Sequence, residues 1–348
     1  MSKPNLNCKT LIIAELSANH GHCLESALAT VRAAKEAGAD AVKLQTYTAD
    51  TITIDSDKPC FRIEHGTIWD GNTLYTLYKQ AYTPWEWHKA IFNEARRIGL
   101  LAFSTPFDFS AVDFLESLDN PIYKIASFEI NDIPLIEYVA SKKKPIIIST
   151  GVASLEEIQE AVDVCRYAGN DDITLLKCTS SYPAPIDRAN LKTIPDMVNR
   201  FGVKVGLSDH TIGAVAALAA VALGATVIEK HFILDKSIGG PDASFSMEPA
   251  DFSIMVNGIR AVEKALGKVS YELDASAQKQ AHFKRSLFVA EDVKAGDLIS
   301  KTNVRSIRPS DGLHPRYYPQ ILGRCFIRDV EKGTPLTLEL FEKTGFVL

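Results

Sequence analysis

No CxxC pair and no cysteine cluster occurs in this sequence: its six cysteines stand apart at 8, 23, 60, 165, 178 and 325. That spacing excludes a disulfide framework and a thiolate-built zinc knuckle, and it leads us to expect reduced thiols in a cytoplasmic protein. Long apolar runs are missing too. The longest, 213–228, is short for a membrane span and is interrupted by Gly224, so it reads as a helix followed by a strand. No apolar leader follows Met-Ser-Lys-Pro-Asn, which adds to the cytoplasmic expectation. Basic clusters are absent as well. With 38 Lys and Arg against 43 Asp and Glu the net charge is -5, and the cations are scattered, so there is no footprint for nucleic acid or an anionic membrane. An anionic substrate would have to be met by a few placed cations. Finally, no Gly-rich phosphate turn follows the first apolar run, which argues against a doubly wound open sheet.

What is present is a regular alternation. Apolar strand-like runs begin at Leu11, Ala41, Leu101, Ile122, Pro145, Ile173, Val203 and Val227, and helical patterns separate them. Two helix starts are written plainly. Thr83-Pro84-Trp85-Glu86 predicts Thr83 as an N-cap with proline at the first helical position, and Ser154-Leu155-Glu156-Glu157 predicts a capping box. Eight strands, each apolar through its length and each finishing in polar residues, predict a (β/α)8 TIM barrel, an α/β fold with its site at the C-terminal rim. The barrel is expected over 1–266 and a polar linker over 267–283. A small β-rich domain is expected over 284–348, from short runs at 285–290, 304–307 and 325–330 and two echoing turns, 292–296 and 329–333. The stretch 46–82 lacks a clean period and holds Trp69, Tyr75 and Tyr78. An excursion of that length points to a functional loop.

Candidate chemistry gathers at the strand ends. Gly206-Leu207-Ser208-Asp209-His210 and Val227-Ile228-Glu229-Lys230-His231 close successive strands, so His210 and His231 are expected to face each other. One such histidine is ordinarily structural. Two on adjacent rims, with oxygen donors nearby, suit a hexacoordinate Mn, Mg, Co or Fe type ion better than a closed zinc site. Lys43, Lys124 and Lys177 lie within strands and Lys230 adjoins His231; each alone could snorkel to the rim, and together they suggest a phosphate and a carboxylate. Ser127, Ser149, Ser180 and Ser208 recur at strand tips, where hydroxyls can complete a phosphate cradle. Glu15 and Glu129 are acids on the same rim, to be read as salt-bridge partners or as general acid/base groups.

These residues carry a resemblance. The strings AELSANHGH at 14–22, AVKLQTYT at 41–48, FSTPF at 103–107, YKIASFE at 123–129, STG at 149–151, KCTSSYP at 177–183, GLSDHT at 206–211, EKHF at 229–232 and RPSDGLHP at 308–315 resemble the sialic acid synthase family over essentially the whole chain. Within it the chain is most similar to the pseudaminic acid synthases. The resemblance implies a (β/α)8 barrel followed by an antifreeze-like SAF domain, in a domain-swapped homodimer whose small domain caps the partner's site. It also implies a divalent-metal-dependent condensation of phosphoenolpyruvate with an open-chain amino sugar. Carried over position by position, His210 and His231 match metal ligands, and Lys43, Thr105, Lys124, Ser127, Ser149, Ser180 and Ser208 match the phosphoenolpyruvate site. Glu129 matches the catalytic acid, with Glu15 beside it on the rim. Tyr182 and Asp242 match sugar-binding positions, and Arg308 the arginine that the small domain inserts into a neighbouring site. Ser180 departs from relatives using N-acetylmannosamine, which commonly have Asn there.

The implied sugar is 2,4-diacetamido-2,4,6-trideoxy-L-altrose, and the apolar character of Ile63, Ile68 and Trp69 suits its 6-methyl group. N-acetylneuraminate or legionaminate synthesis is the alternative. More distant alternatives are a class I aldolase forming a Schiff base on a rim lysine, which borohydride trapping with pyruvate would reveal, and a non-catalytic sugar-binding protein, which would release no phosphate.

Overall fold

Eight parallel strands follow one another around a closed barrel in a computed structural model that describes residues 9–64 and 66–343. They are β1 Leu11–Glu15, β2 Ala41–Thr46, β3 Leu101–Pro106, β4 Tyr123–Ile125, β5 Ile146–Ser149, β6 Ile173–Cys178, β7 Lys204–Asp209 and β8 Val227–His231. The seam closes where β1 pairs with β8, with Glu15 opposite His231. Gly206 permits the close approach of β7 to β8, since a Cβ there would collide with the Val227 carbonyl. Cys8, the first residues of the expected barrel range and the last residues of the expected small-domain range lie outside the described residues.

Period-2 alternation decides what each strand shows to the barrel interior. Ile13, Ala41, Phe103, Ile147, Leu176 and Val227 form an apolar plug inside the barrel, with Ile122 packed against it. Their strand neighbours, such as Ile12, Val42, Ile148, Leu175 and Ile228, point outward into the larger core shared with the helices. Full burial of each such side chain contributes about 1.5–3 kcal/mol, so a one-residue slip of any strand is strongly disfavoured.

The outer ring consists of α1 Leu24–Glu36, α2 Trp85–Arg97, α3 Phe109–Glu116, α4 Ile133–Ser141, α5 Leu155–Tyr167, α6 Thr193–Phe201, α7 Val215–Ala222 and α8 Pro249–Leu266. Ser154 forms the capping box on α5. The predicted cap at Thr83 is not made: Pro84 occupies the N-cap position of α2 without a side-chain bond, and the buried Thr83 hydroxyl instead shares a hydrogen bond with His20 Nε2 at 3.3 Å. The long excursion after β2 carries two short helices, Ala49–Ile52 and Leu74–Ala81. Among the described residues no helix is long and apolar enough to cross a membrane.

Gly267 ends the first compact unit and Lys268 begins the second. The stretch expected as a polar linker holds a short helix, Ala275–Gln280, because the Asp274 side chain accepts from Ala277 N–H and caps it. β9 Ser286–Val289 and β10 Val304–Ile307 pair antiparallel. The run at 325–330 is not a strand; it makes single bridges, Leu298 to Cys325, Phe326 to Phe341 and Val293 to Val330. That last bridge joins the two echoing turns, which also exchange Lys294–Asp329 at 2.8 Å and a bond from Lys332 N–H to Asp292. Leu287, Val304, Ile321, Phe326, Leu336 and Phe341 give this unit an apolar core of its own.

Candidate active site

Two residues beyond the apolar plug, the same inward parity delivers Glu15, Lys43, Thr105, Lys124, Ser149, Cys178, Ser208 and Glu229. The plug is therefore the floor on which a polar layer stands. Lys43 Nζ lies 2.6 Å from Glu15 Oε2, donates to Thr105 Oγ1 at 3.3 Å and is 3.9 Å from Glu229. Lys124 donates to Ser149 Oγ at 2.7 Å and lies 4.0 Å from Glu229, and Ser208 donates to the same Glu229 oxygen at 3.1 Å. Burial works against both lysines, and their environments then divide them. The charges of Glu15 and Glu229 outweigh burial and raise Lys43 above the usual range. Lys124, further from any carboxylate, is left lowered by burial, with Glu229 only partly opposing. An anion bound against Lys124 would supply the charge that it lacks. Glu229 was not singled out from the sequence, although its parity with His231 on β8 was a signal for it.

Beside this layer, Ser127, Ser180 and Cys178 crowd against Gly151. A Cβ there would collide with the Ser180 and Ser127 hydroxyls and with Cys178 Sγ. Gly151 N–H donates to Ser127 Oγ at 3.1 Å. Ser127 and Ser180 thus flank Gly151, with Ser149 two residues before it at the end of β5, and three hydroxyls of this kind suit phosphate oxygens.

The two histidines come together as expected, with ring centroids 5.3 Å apart. His210 shares Nδ1 with the Thr179 carbonyl at 3.1 Å, which fixes its ring and leaves Nε2 free of that bond. His231 Nδ1 is buried without a hydrogen-bond partner. Burial, then the positive charge of His210, Lys43 and Lys230, holds His231 well below the usual imidazole range, so its ring is neutral. Among the described residues no group of three or more His, Cys, Asp or Glu side chains is arranged to hold a metal ion. The pair, with one orphaned and one oriented nitrogen, fits an ion that takes its remaining ligands from substrate and water.

Aromatic groups roof this pair. Tyr182 packs on His210 at 4.3 Å between ring centroids, Phe245 lies 4.9 Å from His231, and Trp69 meets Tyr182 at 5.4 Å while its Nε1–H donates to the Pro241 carbonyl at 3.0 Å. The long loop after β2 therefore reaches the site through Trp69. Of the two isoleucines in that loop, Ile63 is buried and Ile68 is exposed. Asp242 is buried and accepts from Ser17 Oγ at 2.5 Å; its Oδ2 lies 3.8 Å from His231 Nδ1. Glu129 sits in a single 3-10 turn, Ser127–Glu129, beyond β4. Its Oε2 is buried without a partner, and burial, partly offset by Lys124, pushes the carboxyl up to about 7.

Two lysines leave the constellation suggested by the sequence. Lys230 has outward parity and pairs with the buried Asp209 at 2.7 Å while donating to the Thr211 carbonyl at 2.5 Å. Asp209 Oδ1 in turn accepts from Thr211 N–H, so this pair clamps the backbone that carries His210. Lys177 also faces outward, donating to the Cys178 carbonyl and to Thr179 Oγ1. Arg308 belongs to the second unit, next to β10.

The NeuB family profile matches residues 30–271, and the SAF domain profile matches residues 284–342. A pseudaminic acid synthase of Campylobacter jejuni subsp. jejuni serotype O:23/36 is 48% identical over 95% of this chain and 96% of its own length. A pseudaminic acid synthase of Helicobacter pylori is 47% identical over 96% of this chain and 98% of its own length. Among solved structures, an N-acetylneuraminic acid synthetase from Leptospira borgpetersenii serovar Hardjo-bovis, in complex with citrate, superposes with a TM-score of 0.70 at 31% identity, covering 80% of this chain and 94% of that one.

Proposed function

The chain belongs to the NeuB family, and from that premise we propose that it is a pseudaminic acid synthase, condensing phosphoenolpyruvate with open-chain 2,4-diacetamido-2,4,6-trideoxy-L-altrose and releasing phosphate by C–O cleavage. The observation that carries this reading is the near full-length identity of 48% and 47% to two proteins of that name, against 31% to an N-acetylneuraminic acid synthetase. The site's chemistry supports it: two buried lysines and a group of serine hydroxyls suited to an anion stand near the aromatic cluster of Trp69, Tyr182 and Phe245.

On this reading Lys124, Lys43, Ser149 and Ser208 hold the carboxylate and phosphate of phosphoenolpyruvate, with Thr105 and the Gly151 cradle of Ser127 and Ser180 completing its contacts. C3 of phosphoenolpyruvate bonds to the sugar's aldehyde carbon, and the aldehyde oxygen takes up a proton. Water then adds to C2, the C2–O bond to phosphate breaks, and the remaining C2 hydroxyl collapses to the ketone. Glu129, poised near neutrality, accepts the proton of the adding water at Oε2, and Glu15 keeps Lys43 charged. His210 and His231 would hold a divalent ion such as Mn, Co or Mg, and the chemistry that such an ion supplies when bound is Lewis-acid polarisation of the aldehyde. Tyr182, Phe245 and Trp69 exclude bulk water. Arg308 reaches a neighbouring subunit's site in a domain-swapped homodimer, and the scattered spacing of the cysteines suits a cytoplasmic setting.

Phosphate release from phosphoenolpyruvate, assayed over a panel of N-acetylmannosamine, its 6-phosphate and the diacetamido trideoxy hexoses, tests the reading. We expect the highest kcat/KM with the L-altro sugar. A higher value with N-acetylmannosamine would overturn the choice of sugar, and no phosphate release with any sugar would overturn the activity.

A further inference from the structure

Ser17 holds an unusual backbone for its residue type. Its φ is +45°, in the left-handed region, and of the non-glycine residues with positive φ among those described, His22, Asp119, Lys143 and Asn190 included, it alone hydrogen-bonds residues of the candidate active site. A glycine would occupy that conformation without strain, whereas serine retains it only where the surroundings over-determine it. Its side chain is buried. The hydroxyl donates to Asp242 Oδ2 at 2.5 Å and accepts from Gln45 Nε2 at 2.9 Å. Gln45 Nε2 also donates to Glu15 Oε1 at 3.1 Å, and Glu15 contacts Lys43. One hydroxyl therefore joins the loop after β8, which carries Asp242, to the acid and lysine on β1 and β2. The same left-handed turn brings the Ala18 N–H to the Asp242 carboxylate, while Asn19 Nδ2 donates to Ser246 Oγ, which donates to the Asp242 carbonyl.

We propose that Ser17 is a positioning residue for the amino sugar: it trades backbone strain for a hydroxyl that fixes Asp242 and Gln45 in one mutual orientation. The inference rests on the reading of Asp242 as a sugar contact. Because the hydroxyl has one proton, donation to Asp242 leaves its lone pairs for Gln45, so the bridge has a single polarity. Both Gln45 Nε2 hydrogen bonds are then spent on Glu15 and Ser17, which fixes the orientation of that amide.

Substitution separates the hydroxyl from the backbone. Ser17→Gly keeps the turn and the Ala18 N–H and removes only the bridge. We expect its thermal midpoint to equal or exceed that of the wild type, its KM for the amino sugar to rise about ten-fold or more, and its KM for phosphoenolpyruvate to stay within about two-fold. Ser17→Ala, which keeps the strain without the bonds, should show the same sugar defect with a lower midpoint. A Ser17→Gly enzyme with an unchanged sugar KM, or with both KM values raised together and a lowered midpoint, would overturn the proposal. The wild type in the same assay keeps the two readings apart: a wild type that releases no phosphate with any sugar removes the functional reading itself, and the role of Ser17 falls with it. An active wild type beside an unaltered Ser17→Gly removes only the role of Ser17.

Discussion

Glu129→Gln offers a test in which stability and activity move in opposite directions. The wild-type carboxyl is pushed up to about 7 from 4.5, chiefly by burial, and its Oε2 has no partner. A raised carboxyl means that the native state binds its proton more tightly than the unfolded chain, so folding loses stability as pH rises from the unfolded value through the native one. Below about pH 4.5 both states are protonated and nothing is lost; above about 7 the full cost applies. That gap corresponds to about 3 kcal/mol. Glutamine resembles the protonated acid and does not titrate. The midpoint of Glu129→Gln should therefore gain on the wild type by several degrees, about 6–10 °C, between about pH 4 and about pH 8. Over the same range its phosphate release should fall by about two to four orders of magnitude, and the wild type's kcat/KM limb near neutrality should vanish. Unfolding followed by circular dichroism across a pH series, beside initial rates, reads both. A midpoint difference that is constant with pH, or that shrinks as pH rises, would refute the argument from burial.

Three further outcomes are expected. Removal of metal by EDTA should abolish phosphate release and Mn, Co or Mg should restore it, with His231→Ala folded but unable to bind metal; full activity of the metal-free protein would sink the histidine reading. Mixing Arg308→Ala with Glu129→Ala, each nearly inactive alone, should recover activity after subunit exchange, because one site of each heterodimer then has both residues intact; no recovery despite demonstrated exchange would show that Arg308 does not serve a neighbour. Lys230→Ala leaves Asp209 buried and unpaired, so chemical denaturation should report a loss of about 3–5 kcal/mol, and a loss under about 1 kcal/mol would contradict the clamp.

The barrel was legible because its strands are short apolar runs with helical spacing between them, and because the runs end in polar groups that have no place in a core. The histidine pair was legible for the same reason, since β7 and β8 pair Asp209 with Lys230 and the next step of that register brings His210 beside His231. What went astray was parity. Lys230 adjoins His231 in sequence and was grouped with the site, but consecutive residues on a strand face opposite ways, so Glu229 points inward and Lys230 does not. Ser17 and Gln45 were invisible as a pair because nothing in a serine announces a left-handed backbone. Thr83 misled through its fit to a capping pattern, since tertiary contact with His20 claimed the hydroxyl. In the second unit, 325–330 has strand composition, but single bridges satisfy it without a ladder.

The Trp69 clamp bears on how such an enzyme can change its sugar in the course of evolution. The indole is bonded to the backbone at Pro241 and packed on Tyr182, which packs on Phe245, so the segments around 69, 182 and 241–245 interlock although they are far apart in the chain. Transplanting any one of them from a relative would leave two faces cut for the old partner. Recombination that exchanges a single contiguous stretch is thereby penalised, and lineages should inherit the three segments as a block.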